Sequence, residues 1–269
     1  EKLDWEGNSD SKSQTDGGIS RWETDDGGGD GSVDISVRKN SLVNEDAREV
    51  IAAIKEEHGS YVDALITDPP YGYDYDARGD HDVLSGDEDS DTARSLAEEV
   101  IKQARLVLNE PAPVLVFCGD QNVGWTKEIV ERWYNFEEVM VWDKEIVGVG
   151  ATGKGDSRAP RWRMQHEFIV YGSYGKLDFQ NENRHDGSIL EFQRPSAKDR
   201  IHPTEKPAEL MRYLVESVTE EGDIVFDPFA GSGATLAGAQ QCGRNYVGAE
   251  IDEQHYEAAR DRLEQKTLV

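Results

Sequence analysis

Apolar positions along the chain alternate between a helical and a strand period. In residues 45–57, EDAREVIAAIKEE, Ala47, Val50, Ile51 and Ile54 recur at i, i+3, i+4 and i+7, which places them on one face of a helix. VDALIT (62–67) follows as a short apolar run of the kind that forms a buried strand. The change of period then repeats, with TARSLAEEVIKQARLVL (92–108) as helix, PVLVFCGD (113–120) as strand and GWTKEIVERWY (124–134) as helix. FEEVMVWDK (136–144) and HEFIVYGS (166–173) read as two further strands. In PAELMRYLVESVTEEGD (207–223), Leu210, Met211, Leu214, Val215 and Val218 share a helical face, with Pro207 expected in the first turn. The last stretch, 223–265, reads strand, Gly-rich turn, helix, strand, helix. Such alternation predicts an α/β fold with a mostly parallel sheet and helices on both faces.

Two segments fall outside this rhythm. Residues 1–31 are rich in Gly, Ser, Asp and Glu and carry nine acids against three bases, so a flexible acidic tail is expected there. Residues 74–99 carry ten acids against two arginines; a loop is expected first and the helix after it. Residues 32–269 then form the structured domain.

Composition sharpens the picture through charge. The 269 residues include 55 acids and 29 bases, a net charge of −26. So acidic a surface repels nucleic acid in dilute salt, which argues against a DNA-binding protein unless the solvent is saline. Arginine outnumbers lysine 17 to 12, and the acid is spread over the whole chain, as expected for a halophilic protein whose self-repulsion is screened within a few Å. No run approaches the roughly 20 apolar residues of a membrane span, and the first thirty residues lack the apolar core of a secretory signal. A cytoplasmic location is expected. Cys118 and Cys242 are too few for a disulfide framework, and the histidines show no metal-ligand spacing with them, so no metal is expected.

Two turns carry candidate chemistry. DALITDPPYGYDY (63–75) leaves its strand through Asp68-Pro69-Pro70-Tyr71, where two prolines remove two backbone donors and fix φ twice. FDPFAGSGAT (226–235) follows a strand and opens a helix, a context in which glycines let a backbone approach a nucleotide-like ligand. Glu250 ends the next strand in YVGAE, placed to accept from ribose hydroxyls. Leu236 stands where the third glycine of G-x-G-x-x-G would be, and Asp227 would repel a pyrophosphate. A cofactor with a cationic amino group, such as S-adenosylmethionine, fits better.

With these residues in view, the chain resembles the DNA amino-methyltransferases, which methylate exocyclic amines of adenine or cytosine. TDPPYG resembles their catalytic motif, FDPFAGSGAT their cofactor motif, and HPTEKP (202–207) the segment before the cofactor strand; HEFIVYG also matches. Catalytic motif first and cofactor motif last is similar to the β class. The resemblance implies a Rossmann-like methyltransferase fold, seven-stranded and circularly permuted, in which DISVRKNSLVNED (34–46) supplies the strand beside YVGAE and brings Asn44 or Asp46 near the cofactor adenine. It implies that Asp68 and the carbonyl of Pro69 accept the two amine protons, that Pro69 and Pro70 hold those acceptors rigidly, and that Tyr71 stacks on a flipped base. It further implies that Asp227 meets the methionine amino group, that Pro228, Phe229, Ala230, Gly231, Ser232 and Gly233 line the methionine side, that Glu250 binds ribose, that Ile251 packs on adenine and that Lys206 reaches the cofactor carboxylate.

The first Asp of the motif favours adenine N6 as target in this family, with cytosine N4 as the alternative; an RNA or protein methyltransferase and a non-enzymatic nucleotide-binding module are more distant readings. The partner implied is double-stranded DNA, with a cognate restriction endonuclease possible and a monomer or homodimer as the assembly. A small target-recognition insertion is expected within 144–200, where Lys154, Arg158, Arg161 and Arg163 with Trp162 make a local basic cluster suited to DNA contact. Neither cysteine is needed for direct transfer to an amine, whereas a C5-cytosine methylase would use a thiol nucleophile.

Overall fold

The structure is a computed structural model, and it describes residues 35–72, 89–145, 165–177, 187–194 and 206–266. The acidic segment 1–31 and all five basic-cluster residues, Lys154, Arg158, Arg161, Trp162 and Arg163, lie outside the described residues.

Among the described residues, six helices flank one eight-stranded sheet. In chain order the elements are β1 (Ser41–Val43), α1 (Ala47–Glu57), β2 (Ala64–Thr67), α2 (Ser90–Ala104), β3 (Ala112–Cys118), α3 (Val123–Trp133), β4 (Asn135–Asp143), β5 (His166–Tyr174), β6 (Ile189–Glu191), α4 (Ala208–Val218), β7 (Ile224–Asp227), α5 (Ala234–Gln241), β8 (Asn245–Ala249) and α6 (Glu253–Lys266). The sheet order is β1-β8-β7-β2-β3-β5-β4-β6. All neighbours are parallel except β3 with β5 and β5 with β4. The expected alternation therefore holds, with one strand more than the seven predicted. The extra strand, β6, has three residues: Leu190 points into the core at 5% exposure while Ile189 is 64% exposed. Three residues are too few for a period to register in sequence. Trp142 anchors this edge by donating from Nε1 to the Phe192 carbonyl at 2.8 Å.

Strand alternation divides the core between the two faces. Leu65, Val114, Val116, Val170, Phe226 and Val247 pack with α1, α2 and α3. Ile66, Leu115, Phe117, Ile169 and Val225 pack with α4, α5 and α6. The four residues read as the α1 stripe are all buried, and truncating Ile51 or Ile54 to Ala costs about 2–5 kcal/mol. The acids are used locally. Asp46 caps α1 by accepting from Arg48 N at 2.8 Å, and Asp89 caps α2 by accepting from Asp91 N at 2.8 Å and Thr92 N at 2.9 Å. Pro207 is the cap of α4, one residue before the first-turn position expected for it.

The chain's first described strand, β1, pairs parallel with its last, β8, so Leu42 lies beside Gly248 and Val43 beside Ala249. Between β7 and β2 the strand order reverses direction. Open α/β sheets bind their ligands at the carboxyl ends of strands beside such a switch. Asp68 directly follows β2, Asp227 ends β7, and Glu250 directly follows β8.

Candidate active site

Thr67 and Asp227 close the two strands at the switch point, and the Thr67 hydroxyl donates to Asp227 Oδ1 at 2.8 Å. The backbone N–H of Phe229 donates to the same oxygen at 3.1 Å, and Thr235, in the first turn of α5, contributes a further side-chain hydrogen bond. These donors do not fully compensate the burial of a carboxylate that is 2% exposed. Burial pushes the Asp227 pKa up to about 6 against the opposing pull of Thr235, Thr67 and Phe229, and the charge of Asp68 adds to the rise.

The glycine turn after Asp227 is tight because it doubles back onto β8. Ala230 N–H donates to the Ala249 carbonyl at 2.9 Å, and Gly231 N–H to Glu250 Oε2 at 2.7 Å. Gly233 (φ +74°) has to be glycine, since a Cβ there would stand 2.9 Å from the Ala259 Cβ of α6. Gly231 (φ +51°) differs: a Cβ built there meets no atom within 4 Å, so this turn presents an open face. Glu250 has its second oxygen on Asp252 N–H at 2.9 Å, and burial raises its pKa. Each carboxylate oxygen retains a second lone pair. Asn44 donates to the Glu250 carbonyl at 2.8 Å and to that of Ile251 at 3.3 Å. Of the two residues expected near the adenine, Asn44 therefore reaches this corner, while Asp46 is occupied in capping α1 and pairing with Arg48. Ile251 stands 51% exposed beside them. Pro228 and Ala230 are buried, Phe229 is half-buried and Ser232 is 9% exposed.

Asp68 lies on the other side of the switch. Its Oδ1 accepts the Tyr71 hydroxyl, and its Oδ2 lies 2.5 Å from Lys206 Nζ. Pro69 is buried and Pro70 half-buried. The turn is pinned from behind by Asn122, which is 2% exposed and donates from Nδ2 to the Tyr71 carbonyl at 2.9 Å. Asn122 occupies the N-cap of α3 without making a capping bond through its side chain, which is committed to the turn instead. Gly72 (φ +69°) follows, and a Cβ there would lie 2.4 Å from the Ser90 backbone at the start of α2.

The structure brings Lys206 to Asp68, a contact the sequence reading, which expected it at the cofactor carboxylate, did not include. Its ammonium is also 3.0 Å from Glu167 Oε2, while Glu167 Oε1 lies 2.5 Å from Lys144 Nζ. Burial opposes the Lys206 ammonium, but Asp68 and Glu167 outweigh it and raise its pKa. Burial likewise opposes the Glu167 carboxylate, yet Lys206 and Lys144 outweigh it and bring its pKa down to about 2. Both groups are thus held charged at neutral pH. Glu167, Lys144, Asn122 and Thr67 were not singled out from sequence. The only signal was HEFIVYG, where the apolar alternation starts on an acid; because β5 runs antiparallel to β3, that start comes to the end of the sheet that carries Asp68.

Cys118 is buried, and burial lifts its thiol to about 12, against the hydrogen bond of Thr126. Such a thiol is no nucleophile at neutral pH. Among the described residues no group of three or more His, Cys, Asp or Glu side chains is arranged to hold a metal ion, and no helix is long and apolar enough to cross a membrane.

Known proteins align with this geometry. A family model described as DNA methylase matches residues 62–261, the span that holds Asp68, Glu167, Lys206, Asp227 and Glu250. YubD of Escherichia coli (strain K12) is 31% identical over 209 residues, covering 76% of this chain and 83% of that protein. The DNA adenine methyltransferase YhdJ of the same organism is 24% identical over 241 residues, covering 80% of this chain and 81% of that protein. The solved structure of an M1.HpyAVI–SAM complex superposes with a TM-score of 0.63 at 23% identity over 82% of this chain and 98% of that one, a likeness of fold. The chain belongs to the DNA methylase family, the S-adenosylmethionine-dependent enzymes that methylate adenine N6 or cytosine N4.

Proposed function

We propose that the chain is a site-specific DNA adenine N6-methyltransferase. One observation carries this reading: the carboxylate suited to an amine, Asp68, and the carboxylate suited to a cationic cofactor, Asp227, stand on adjacent strand ends joined by the Thr67 hydroxyl. The strand order, with β1 docked on β8, supports a circularly permuted methyltransferase fold.

The residues fit S-adenosylmethionine. Asp227 is a buried acid with no cation among its hydrogen-bond partners in the described residues, Gly231 offers an open face, Glu250 has lone pairs for two ribose hydroxyls, and Ile251 presents an exposed apolar surface. When bound, the cofactor supplies an electrophilic methyl on a cationic sulfur. The exocyclic nitrogen of adenine is a poor nucleophile because its lone pair is delocalised into the ring. Asp68 and the Pro69 carbonyl accept hydrogen bonds from the two amine N–H groups and favour a nitrogen whose lone pair is localised for attack; after transfer the methylated nitrogen loses one proton, to Asp68 and from there to solvent. Lys206 sets its cation 2.5 Å from Asp68 and so supports the carboxylate as acceptor. Tyr71 exchanges its bond to Asp68 for a stack on the flipped base. DNA is held by the basic cluster at Lys154, Arg158, Arg161, Trp162 and Arg163, and a restriction endonuclease of the same specificity is the natural partner.

Adenine is favoured over cytosine N4 because the motif begins with Asp. Incubation with labelled S-adenosylmethionine and unmethylated DNA in multimolar KCl, followed by digestion to nucleosides and mass spectrometry, tests this. N6-methyladenine is expected. N4-methylcytosine would overturn the adenine assignment, and unlabelled DNA at every salt concentration would overturn the reaction. High salt is specified because we read the −26 charge as halophilic: stability should rise with KCl from 0.1 M to beyond about 2 M, where the Debye length is only a few Å. A melting temperature independent of salt would contradict that reading.

A further inference from the structure

Four charges of alternating sign run from the sheet edge to the catalytic turn: Lys144, Glu167, Lys206 and Asp68. The contacts are 2.5 Å from Lys144 to Glu167, 3.0 Å from Glu167 to Lys206 and 2.5 Å from Lys206 to Asp68. Lys206 is the least exposed of the four and Asp68 the most. The Lys144, Glu167 and Lys206 side chains are 14%, 17% and 6% exposed, and that of Asp68 is 29% exposed. The ammonium of Lys206 lies 5.1 Å from the Phe117 ring centre and 5.9 Å from that of Tyr71.

A lysine with four rotatable bonds is a loose support unless something fixes its far end. A lone Asp68–Lys206 pair would be free to swing as a unit within the mouth of the site. Glu167, carried on the rigid β5 strand, gives the ammonium a second anchor, and Lys144 neutralises Glu167 in turn. Two carboxylates within 3.0 Å also leave little reason for Lys206 to seek the carboxylate of a cofactor. With Oδ2 tied to Lys206, the plane of the Asp68 carboxylate is set, and Oδ1, which now accepts the Tyr71 hydroxyl, is the oxygen an incoming amine takes over.

We propose that Glu167, backed by Lys144, is a positioning residue that acts through Lys206 to hold Asp68 in the orientation that accepts the amine proton. This rests on the methyltransferase reading above. A misplacement of about 1 Å at a reacting centre can cost on the order of a hundredfold in rate, and the proposed effect belongs on the transfer step rather than on binding.

Glu167→Gln keeps the shape of the side chain and removes its charge. Single-turnover methyl transfer is expected to fall roughly 10- to 100-fold, while the cofactor Kd, measured by equilibrium dialysis with labelled S-adenosylmethionine, stays within about threefold. Glu167→Asp, which keeps the charge, should recover part of the rate. Lys144→Met, at the outer end, should show the same split with a smaller loss, and it serves as the reporter if Glu167→Gln does not fold. A folded Glu167→Gln variant with an unchanged rate would overturn the proposal. So would a rise in cofactor Kd matching the loss of rate, which would assign Lys206 to the cofactor. Crystal structures of the wild-type protein and of the variant give a readout that needs no activity. The Asp68–Lys206 contact should be displaced in the variant, and an unchanged contact would overturn the proposal even if the wild-type protein labelled no DNA. Failure of the wild-type protein to label DNA would instead count against the reaction itself.

Discussion

Two aspartates, Asp68 and Asp227, end neighbouring strands of one sheet, yet their surroundings differ. Asp68 is partly exposed and shares its charge with the Lys206 ammonium. Asp227 is 2% exposed, receives only neutral donors among the described residues, and has its pKa raised to about 6 mainly by burial. On the function proposed above, the difference matches what each carboxylate would meet. A negative charge strengthens an acceptor for a neutral amine, and the protein sets the Lys206 cation beside it. A carboxylate that is to meet a cationic ligand can be left without one, because the ligand brings it and strengthens its own binding in doing so.

The largest effect should come from breaking the Asp68 side. Asp68→Asn retains the size of the group but replaces one acceptor oxygen with a donor and removes the charge opposite Lys206. Methyl transfer should fall by at least about 10³-fold, of the order seen when general acid–base or preorganised electrostatic groups are removed. Cofactor affinity, measured by calorimetry, should change by less than about tenfold, since that step engages Asp227. Loss of both together would mean that the two carboxylates act as one site.

Breaking the Asp227 side should do the reverse. Asp227→Asn should weaken cofactor binding by about 10- to 100-fold, the loss of a charge-assisted contact, while leaving transfer at saturating cofactor far less affected. The sign of its effect on the free protein is also specified. A carboxyl group with a folded pKa of about 6 and an ordinary value of 3.8 binds more protons when folded, so its stabilising contribution is present below pH 3.8 and disappears as pH rises through 6. At pH 7.5 the ionised group is a liability of up to about 3 kcal/mol, and Asp227→Asn should therefore raise the melting temperature of the cofactor-free protein at that pH. In the wild-type protein a bound cation pulls this pKa down, so cofactor affinity should rise with pH, by at most about tenfold per unit, and level off above about pH 6. An affinity flat from pH 5 to 8 would show that Asp227 does not face the cofactor's cation.

Legibility from sequence follows the same division. The elements of the Asp227 corner are local: strand, Gly-rich turn, helix and the Glu250 strand end span 27 residues, so period and turn chemistry sufficed to predict those elements, though not the distant Thr67 and Asn44 that bond to them. The stripe of α1 was legible for the same reason. The Asp68 corner is assembled from distant segments. Asn122 lies 51 residues from Tyr71, and Lys206 lies 138 from Asp68. No period reports such pairings, and a charge at the start of a strand, as Glu167 is, most often faces solvent. The contacts of Lys206 with Asp68 and Glu167 were not legible, because its motif marks proximity to the cofactor strand without showing which way the chain enters α4. The short edge strand β6 was missed because three residues carry no alternation.

A milder cut tests whether the rigidity of the Asp68 turn matters as much as its charge. Asn122→Ala removes the hydrogen bond to the Tyr71 carbonyl from a buried position and leaves that carbonyl without this donor. The expected loss of stability is about 1–3 kcal/mol by urea denaturation. Transfer should slow by roughly tenfold, through a turn that no longer holds Asp68 and Tyr71 in register. A stability loss with an unchanged rate would show that the prolines alone suffice to stiffen the turn.

The smallest effect should come from the group that joins the two aspartates. Thr67 precedes Asp68 in the chain and donates to Asp227, and Thr67→Val keeps its shape while removing the hydroxyl. That hydrogen bond lowers the Asp227 pKa, so its loss should push the value further up, and the pH at which cofactor affinity levels off should move upward with it, by less than about one unit. Above that pH, with cofactor saturating, transfer should stay within about threefold of the wild-type rate, because Asp68 keeps Lys206. The comparison between the carboxylates would then stand as two separable devices. If instead the pH profile stays fixed while the rate collapses, Thr67 acts chiefly by orienting the end of β2, and the adjacency of the two strand ends matters through the backbone.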